Sequence, residues 1–229
     1  MIISTYNADG GCGKTPIATN IALELEYAVG TNEVFNLYHT FIEDEALICK
    51  GMEDEFPTYP SDTDVIFDLA GSISPSAYSI SSALLQSRLV IVPTFYEDPM
   101  LVKTVGSIRA IQALPRFNAD ILVIATKLEK GRKEVFDASK PDEWASCEQY
   151  RYVIEFLSHN GLSVPVLPLK KSKVFDTISR QKRSISQLCE DSKLAAHSYA
   201  DVNAQFQRIF HYIETLENGQ NSTSNRTAA

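Results

Sequence analysis

The sequence lacks long apolar runs, paired cysteines and an N-terminal targeting pattern. No apolar run reaches the roughly 18 residues that a membrane-spanning helix needs, so we expect no helical membrane span. The N-terminus has no basic region followed by an apolar stretch, so we expect no signal peptide. The four cysteines are widely separated, and none forms a C-x-x-C pair. We therefore expect no zinc site and a reducing, cytoplasmic location.

Positive charge is also scarce. The chain has 21 lysines and arginines against 29 aspartates and glutamates, a formal net charge of −8. This balance excludes a protein whose whole surface binds nucleic acid, but it allows a local basic patch. A hydrophobic share of 44% over 229 residues is typical of a globular protein with one large or two small domains.

Short apolar segments alternate with longer helical patterns, which predicts βαβ units around a mostly parallel sheet. Several strand segments are apolar throughout, as in strands covered on both faces. The sequence therefore predicts an α/β fold of three layers with a doubly wound sheet in one domain, 1–217. The polar residues 218–229 are predicted to be a disordered tail. The predicted strands are Ile2–Tyr6, Val34–Tyr38, Asp64–Asp68, Leu89–Pro93, Ile121–Thr126 and Val164–Leu169. The predicted helices begin near Lys14 and cover about 75–87, 99–113, 143–160 and 195–217.

A glycine-rich segment follows the first predicted strand and opens the first predicted helix. It reads Ala8-Asp9-Gly10-Gly11-Cys12-Gly13-Lys14-Thr15 and misses the common phosphate-loop pattern only at Ala8. Glycines allow the bend that points successive N–H groups at phosphate oxygens, and the helix N-terminus adds a favourable dipole. We expect Lys14 to reach the β- and γ-phosphates and the Thr15 hydroxyl to bind Mg²⁺. The alternative is a glycine-rich turn without a ligand.

A second candidate is the apolar strand that ends in Asp68. In P-loop proteins such a strand carries the second carboxylate of the magnesium shell. Thr15 and Asp68 are therefore the predicted metal-binding residues, and Lys14 and Asp68 the predicted catalytic residues. Gly71 would let the following loop sense the γ-phosphate. The alternative for Asp68 is a strand-ending aspartate that caps a turn.

With both motifs in this order, the chain resembles the ParA/MinD family of P-loop ATPases over roughly 1–217. Residues 1–28 resemble the family's deviant phosphate loop, K-G-G-x-G-K-[ST], and 64–72 its switch II strand. Residues 88–108 and 164–188 are similar to later segments of partition ATPases. The resemblance implies that ATP is held by Asp9, Gly10, Gly11, Cys12, Gly13, Lys14 and Thr15, with Thr126, Lys127 and Pro168 near the adenine.

The resemblance also implies partners. Family members dimerise face to face with ATP between the subunits, and partition members bind DNA non-specifically while an adaptor protein stimulates hydrolysis. For this chain it implies an ATP-bound homodimer, a centromere-binding or other adaptor, and nucleoid association. A membrane partner is not expected, because the C-terminal residues have no apolar face.

Two departures from the family pattern bear on hydrolysis. The family's signature lysine, which reaches the partner's phosphates, is replaced by Asp9. A carboxylate about 5 Å from a phosphate charge is repelled by about 3 kcal/mol at an effective dielectric near 20, so Asp9 should point away or pair with a basic residue. The family's D-x-D after the second strand, one aspartate of which positions the attacking water, falls by register on Tyr38 and Thr40. Glu43 and Asp44 follow as possible substitutes. We expect a slow ATPase.

A basic cluster lies between 170 and 183, against the sign of the whole chain. It is a candidate for contacts with DNA phosphates. The alternative is a solvated charged segment beside the nucleotide. Its members are Lys170, Lys171, Lys173, Arg180, Lys182 and Arg183.

Three functions remain open on the sequence alone. The first is a partition ATPase that positions DNA. The second is a nucleotide-dependent regulator or scaffold with little or no hydrolysis, which the two departures favour. The third is a metabolic P-loop enzyme similar to dethiobiotin synthetase, for which no substrate pocket is specified by any pattern.

Overall fold

A computed structural model describes the backbone of 1–33, 37–71 and 77–224, with side chains as far as 219. Within these residues seven parallel strands form one sheet, in the order β3-β2-β4-β1-β5-β6-β7. The strands are Ile2–Thr5 (β1), Ala28–Thr31 (β2), Leu47–Cys49 (β3), Val65–Asp68 (β4), Leu89–Thr94 (β5), Asp120–Leu128 (β6) and Val166–Lys170 (β7). The α-helices are Lys14–Leu25 (α1), Tyr78–Gln86 (α2), Asp98–Gln112 (α3), Glu148–His159 (α4), Phe175–Gln181 (α5), Ile185–Asp191 (α6) and Lys193–Ser224 (α7). Short 3₁₀ helices cover Tyr38–Thr40, Asp44–Ala46 and Pro141–Ser146.

Helices cover both faces of the sheet. Successive residues of a strand point to opposite faces, and in these strands the residues on both faces are apolar. Ile2 packs in the core beneath α2, α3 and α4, whereas Ile3 packs in the core beneath α1, α6 and α7. Burying one such side chain contributes about 1.5–3 kcal/mol. The predicted three-layer α/β fold with a parallel sheet is confirmed.

The sheet places β1 where its winding reverses. The chain leaves β1 for β2 on one side and later reaches β5 on the other, with β4 and β5 as the neighbours of β1. Ligands of open α/β sheets bind outside the carboxyl ends of the strands at such a point. The glycine-rich segment follows β1 directly and therefore lies there.

The predicted second strand, Val34–Tyr38, is wrong. The second strand is Ala28–Thr31, which pairs with β4 from Ala28↔Val65 to Thr31↔Asp68. A Cβ on Gly30 would lie 2.4 Å from the Phe67 ring, so tertiary packing requires a residue of weak strand propensity. Residues 34–36 lie outside the described part, and Tyr38 begins a 3₁₀ helix.

Other boundaries also move. Strand β3 and helices α5 and α6 were not predicted, and the helix expected from 143 begins at Glu148 after a 3₁₀ turn. Helix α7 continues to Ser224, so helical backbone covers 218–224 of the segment predicted to be a disordered tail. In the part of the chain that the structure describes, no helix combines the length and apolar character needed to cross a bilayer.

Candidate nucleotide site

The glycine-rich segment bends back before α1. Gly11 and Gly13 have φ values of 69° and 102°, in the left-handed region that favours glycine. Gly13 precedes the first residue of α1, and a Cβ added to it would lie 3.4 Å from Thr126. This bend and the free end of α1 form the backbone shape that binds phosphate.

Lys14 is buried at the base of this loop, with 6% of its surface exposed. Its Nζ donates to the carbonyl oxygens of Asp9 at 2.7 Å and Asn7 at 3.3 Å. Gly71 packs against the same group, since a Cβ there would lie 2.6 Å from Lys14 Nζ and 2.5 Å from the Asp9 carbonyl oxygen. Gly71, three residues after the end of β4, thus contacts the glycine-rich loop directly.

The two predicted metal-binding residues lie side by side. Thr15 Oγ1 donates to Asp68 Oδ2 at 2.7 Å, and Thr5 Oγ1 donates to Asp68 Oδ1 at 3.2 Å. A hydroxyl and a carboxylate are the hard oxygen donors that Mg²⁺ prefers. No group of three histidine, cysteine or acidic side chains that would chelate a metal occurs in the described residues.

Asp68 is almost fully buried beneath this pair. Burial raises the pKa of its carboxyl above the ordinary value, while hydrogen bonds from Thr15 and Tyr38 and the charge of Lys14 partly lower it. Tyr38 OH donates to Asp68 Oδ2 at 3.0 Å, and burial raises the pKa of that phenol well above 10. The tyrosine therefore stays protonated as a donor.

A cavity of 380 Å³ extends from the phosphate loop past the ends of β6 and β7. Gly10, Gly11, Gly13, Lys14 and Thr15 line its phosphate end, and Thr126, Lys127, Leu169 and Phe175 line the other. The volume lies within the range of small-molecule sites, and the far end combines the apolar Leu169 and Phe175 with polar and basic side chains.

The predicted base contacts are partly brought together. Thr126 Oγ1 donates to the carbonyl oxygens of Cys12 at 2.8 Å and Thr94 at 2.9 Å, so it braces the loop as well as lining the cavity. Lys127 Nζ lies 4.0 Å from the centre of the Phe95 ring. On β7, Leu169 lines the cavity and the predicted Pro168 does not. Cys12 is buried behind the loop, and burial raises its pKa.

Asp9 faces away from the cavity. Its Oδ2 accepts a bond from Lys103 Nζ of α3 at 2.7 Å, and its Oδ1 accepts one from Gly10 N at 2.9 Å. The hydrogen bond from Lys103 holds the pKa of Asp9 below its ordinary value. A carboxylate in the place of the family's lysine is thus neutralised by a cation 94 residues later in the chain.

Because the second strand is Ala28–Thr31 and not Val34–Tyr38, a different residue follows it into the site. Because β2 ends at Thr31, Tyr38 and Thr40 do not hold the positions expected for the two aspartates. Glu33 does follow β2 and lines the cavity with Lys14 and Thr15. Glu43 and Asp44 are exposed and do not line it. Glu33 was missed because the strand register was misassigned, although a carboxylate two residues after a strand was a visible signal.

The basic cluster is partly neutralised. Lys170, Lys171 and Arg183 pair with Asp201, Glu129 and Asp191 at 2.6, 2.7 and 2.6 Å. Lys170 and Lys171 also line the cavity. Among the described residues, no ion-pair partner reaches the other three members, Lys173, Arg180 and Lys182.

Comparison with known proteins shows which solved structures share this fold. No protein-family model and no curated protein matches the chain. A variant of McdA from Cyanothece in complex with ATP has 12% identity and a TM-score of 0.62, over 93% of this chain and 96% of that one. The cell division ATPase MinD of Pyrococcus furiosus has 14% identity and a TM-score of 0.52, over 91% and 98%. A plasmid partition protein of Borrelia burgdorferi bound to AMPPNP has 13% identity and a TM-score of 0.50, over 90% and 98%.

At these identities the likeness establishes the fold. The chain has the α/β architecture of P-loop ATPases, and within that class it has the ParA/MinD-type fold.

Proposed function

We propose that the chain binds ATP and Mg²⁺ and acts as a slow, ATP-driven dimer switch in the segregation or positioning of DNA. The observation that carries the nucleotide proposal is the convergence of Lys14 and Thr15 at one end of a 380 Å³ cavity, with the buried Asp68 carboxylate hydrogen-bonded to Thr15. The solved structures with ATP and AMPPNP among its structural neighbours support the choice of nucleotide.

Lys14, Thr15 and the backbone of the loop would each contribute differently to the binding of ATP and Mg²⁺. Lys14 would exchange its two carbonyl contacts for bonds to phosphate oxygens, in which both the donor and the acceptor are charged. Thr15 and Asp68 would hold Mg²⁺, which neutralises phosphate charge when bound. The backbone N–H groups of the Gly10–Gly13 bend would complete the phosphate cradle.

Hydrolysis requires a group that orients water opposite the γ-phosphate. Glu33 is the carboxylate that lines the phosphate end of the cavity, and we assign it this role. A glutamate reaches further and with more freedom than an aspartate, which fits a slow reaction.

The dimer, the adaptor protein and the DNA are the finer part of the proposal. A plasmid partition protein and a cell division ATPase among the neighbours support a role in positioning. The cations without ion pairs, Lys173, Arg180 and Lys182, are the part of the basic cluster most available to DNA phosphates.

One observation favours a second candidate, a nucleotide-dependent regulator with little hydrolysis. The Asp9–Lys103 ion pair occupies the loop position from which the family's lysine would reach a partner subunit. Single-turnover hydrolysis with and without DNA separates the two candidates, since only the first predicts phosphate release that DNA or an adaptor accelerates.

Calorimetric titration with ATP and Mg²⁺ tests the nucleotide proposal. We expect the unaltered chain to bind and Lys14→Ala to lose at least about a hundredfold in affinity, because several charge-assisted bonds are removed together. Lys133→Ala, at an exposed lysine that does not line the cavity, is the control and should bind normally. Equal heats for Lys14→Ala and the unaltered chain would exclude this site.

The DNA part is tested by reversing Arg180 and Lys182 to glutamate. The loss of about two phosphate contacts should weaken non-specific DNA binding and reduce the log–log salt slope by about 1.8. Reversal of Arg116 and Lys193 changes the net charge equally and serves as the control. An unchanged salt slope in the first variant would remove DNA from the proposal while leaving ATP binding intact.

A further inference from the structure

Tyr38 connects the segment after β2 to the candidate metal site. Its hydroxyl donates to Asp68 Oδ2 at 3.0 Å, the same oxygen that accepts the Thr15 hydroxyl at 2.7 Å. The side chain is 1% exposed and belongs to the core beneath α1, and its ring centre lies 5.5 Å from that of Phe41. The phenol is therefore held in one place by packing.

The hydrogen bonds divide the Asp68 carboxylate into two sides. A carboxylate oxygen offers about two lone pairs, and Thr15 and Tyr38 together fill those of Oδ2. Within the described part of the chain, Oδ1 accepts a bond from Thr5, at the longer distance of 3.2 Å. Tyr38 thus fixes which oxygen remains open to a further ligand.

Packing alone does not require this hydroxyl. A phenylalanine would fill the same buried space beside Phe41, but it would leave Asp68 with one donor fewer. A buried hydroxyl costs free energy unless it is hydrogen-bonded, and Asp68 Oδ2 accepts the bond that this one donates.

We propose that Tyr38 is a positioning residue of the magnesium site, which orients the Asp68 carboxylate for the metal. The inference rests on the proposed binding of ATP and Mg²⁺. Tyr38 would act through Asp68 and would not touch the nucleotide, because it does not line the 380 Å³ cavity.

The test compares Tyr38→Phe with Tyr27→Phe. Tyr27 is a matched control because it is buried in the same core and its hydroxyl donates to a carboxylate, Glu217 Oε1, at 3.0 Å. The affinity for a fluorescent ATP analogue is measured in EDTA and across a Mg²⁺ series. Mn²⁺ binding to the nucleotide complex, followed by electron paramagnetic resonance, reports the metal directly.

We expect Tyr38→Phe to lower metal affinity by about 10- to 100-fold, the usual effect of removing an outer-shell hydrogen bond, with unchanged affinity for the analogue in EDTA. Tyr27→Phe should match the unaltered chain in both. If both phenylalanine variants have the unaltered metal affinity, the inference is wrong. If the unaltered chain binds no nucleotide under any condition, the proposed function fails first and the inference with it.

A second measurement does not depend on the size of the first effect. In an Asp68→Asn background the further change Tyr38→Phe should have little additional effect on metal affinity, because the residue acts through the carboxylate. An equal effect in both backgrounds would show that Tyr38 acts by another route and would overturn the inference.

Discussion

The segments that follow β1 and β2 both reach the candidate site, but they are built differently. The first does so with its backbone, since the bend at Gly11 and Gly13 shapes the loop and α1 begins at once. The second does so with side chains, since Glu33 lines the cavity and Tyr38 reaches Asp68. Under the proposed function, nucleotide binding would depend on the backbone of the first segment together with Lys14 and Thr15, whereas hydrolysis and the orientation of the metal site would depend on Glu33 and Tyr38.

The comparison explains where this chain departs from the family it resembles. A backbone cradle tolerates changes of side chain, so Asp9 is accommodated by turning towards Lys103. The proposed role of Glu33 would allow no such tolerance, because its carboxylate would have to lie at one point near the phosphates. We expect substitutions there to alter turnover more than affinity.

The largest expected effect is at Glu33. Glu33→Gln keeps the size of the side chain but removes its charge, so water near the γ-phosphate is no longer held by a carboxylate. We expect ATP hydrolysis to slow by about a hundredfold with little change in nucleotide affinity, measured by single-turnover phosphate release and by titration.

The control separates the two candidate carboxylate positions. Glu43→Gln alters an exposed residue outside the cavity and should leave the rate unchanged. The opposite pattern, a slow Glu43 variant and a normal Glu33 variant, would return the water-positioning role to the segment after Tyr38.

The sequence predicted the bend of the first segment and the start of α1 at Lys14, because the residues that shape them are adjacent in the chain. Gly11, Gly13, Lys14 and Thr15 define one bend, whatever packs around them. It failed at the second segment because Gly30 is in a strand for a non-local reason, the close approach of the Phe67 ring. The misplaced strand then hid Glu33. The pairing of Asp9 with Lys103 could not be predicted from the sequence either, because the two residues come into contact only when α3 packs beside the loop.

A smaller effect is expected from Asp68 on stability without ligand. Because burial raises its folded pKa above the ordinary 3.8, the folded chain holds this proton more tightly than the unfolded chain. This group's contribution to stability is therefore full below pH 3.8 and is lost as the pH rises through the folded pKa.

Asp68→Asn removes that titration. Without nucleotide, we expect the variant to melt at a higher temperature than the unaltered chain above this pH window and to lose the advantage below it. Saturating ATP and Mg²⁺ should reverse the order, because the unaltered chain would bind the metal more tightly and gain more stability from it. Calorimetric scans across pH, with and without ligand, give both comparisons. A melting difference that does not vary with pH would contradict the role of the Asp68 charge.

The smallest effect is expected at the Asp9–Lys103 pair. Asp9 is the residue of the glycine-rich segment whose charge would repel the phosphates. Both side chains are partly exposed, so Lys103→Ala should change stability by less than about 1 kcal/mol. It would nevertheless free a carboxylate beside the phosphates. Two charges about 5 Å apart in water repel by ~0.8 kcal/mol, which lowers ATP affinity about fourfold at low salt and less at high salt. The double variant Asp9→Ala/Lys103→Ala should regain the affinity, because the charge that Lys103 neutralises is then gone. A loss that persists in the double variant would mean that Lys103 itself contributes to binding. Helix α3 would then help the glycine-rich segment to hold the nucleotide.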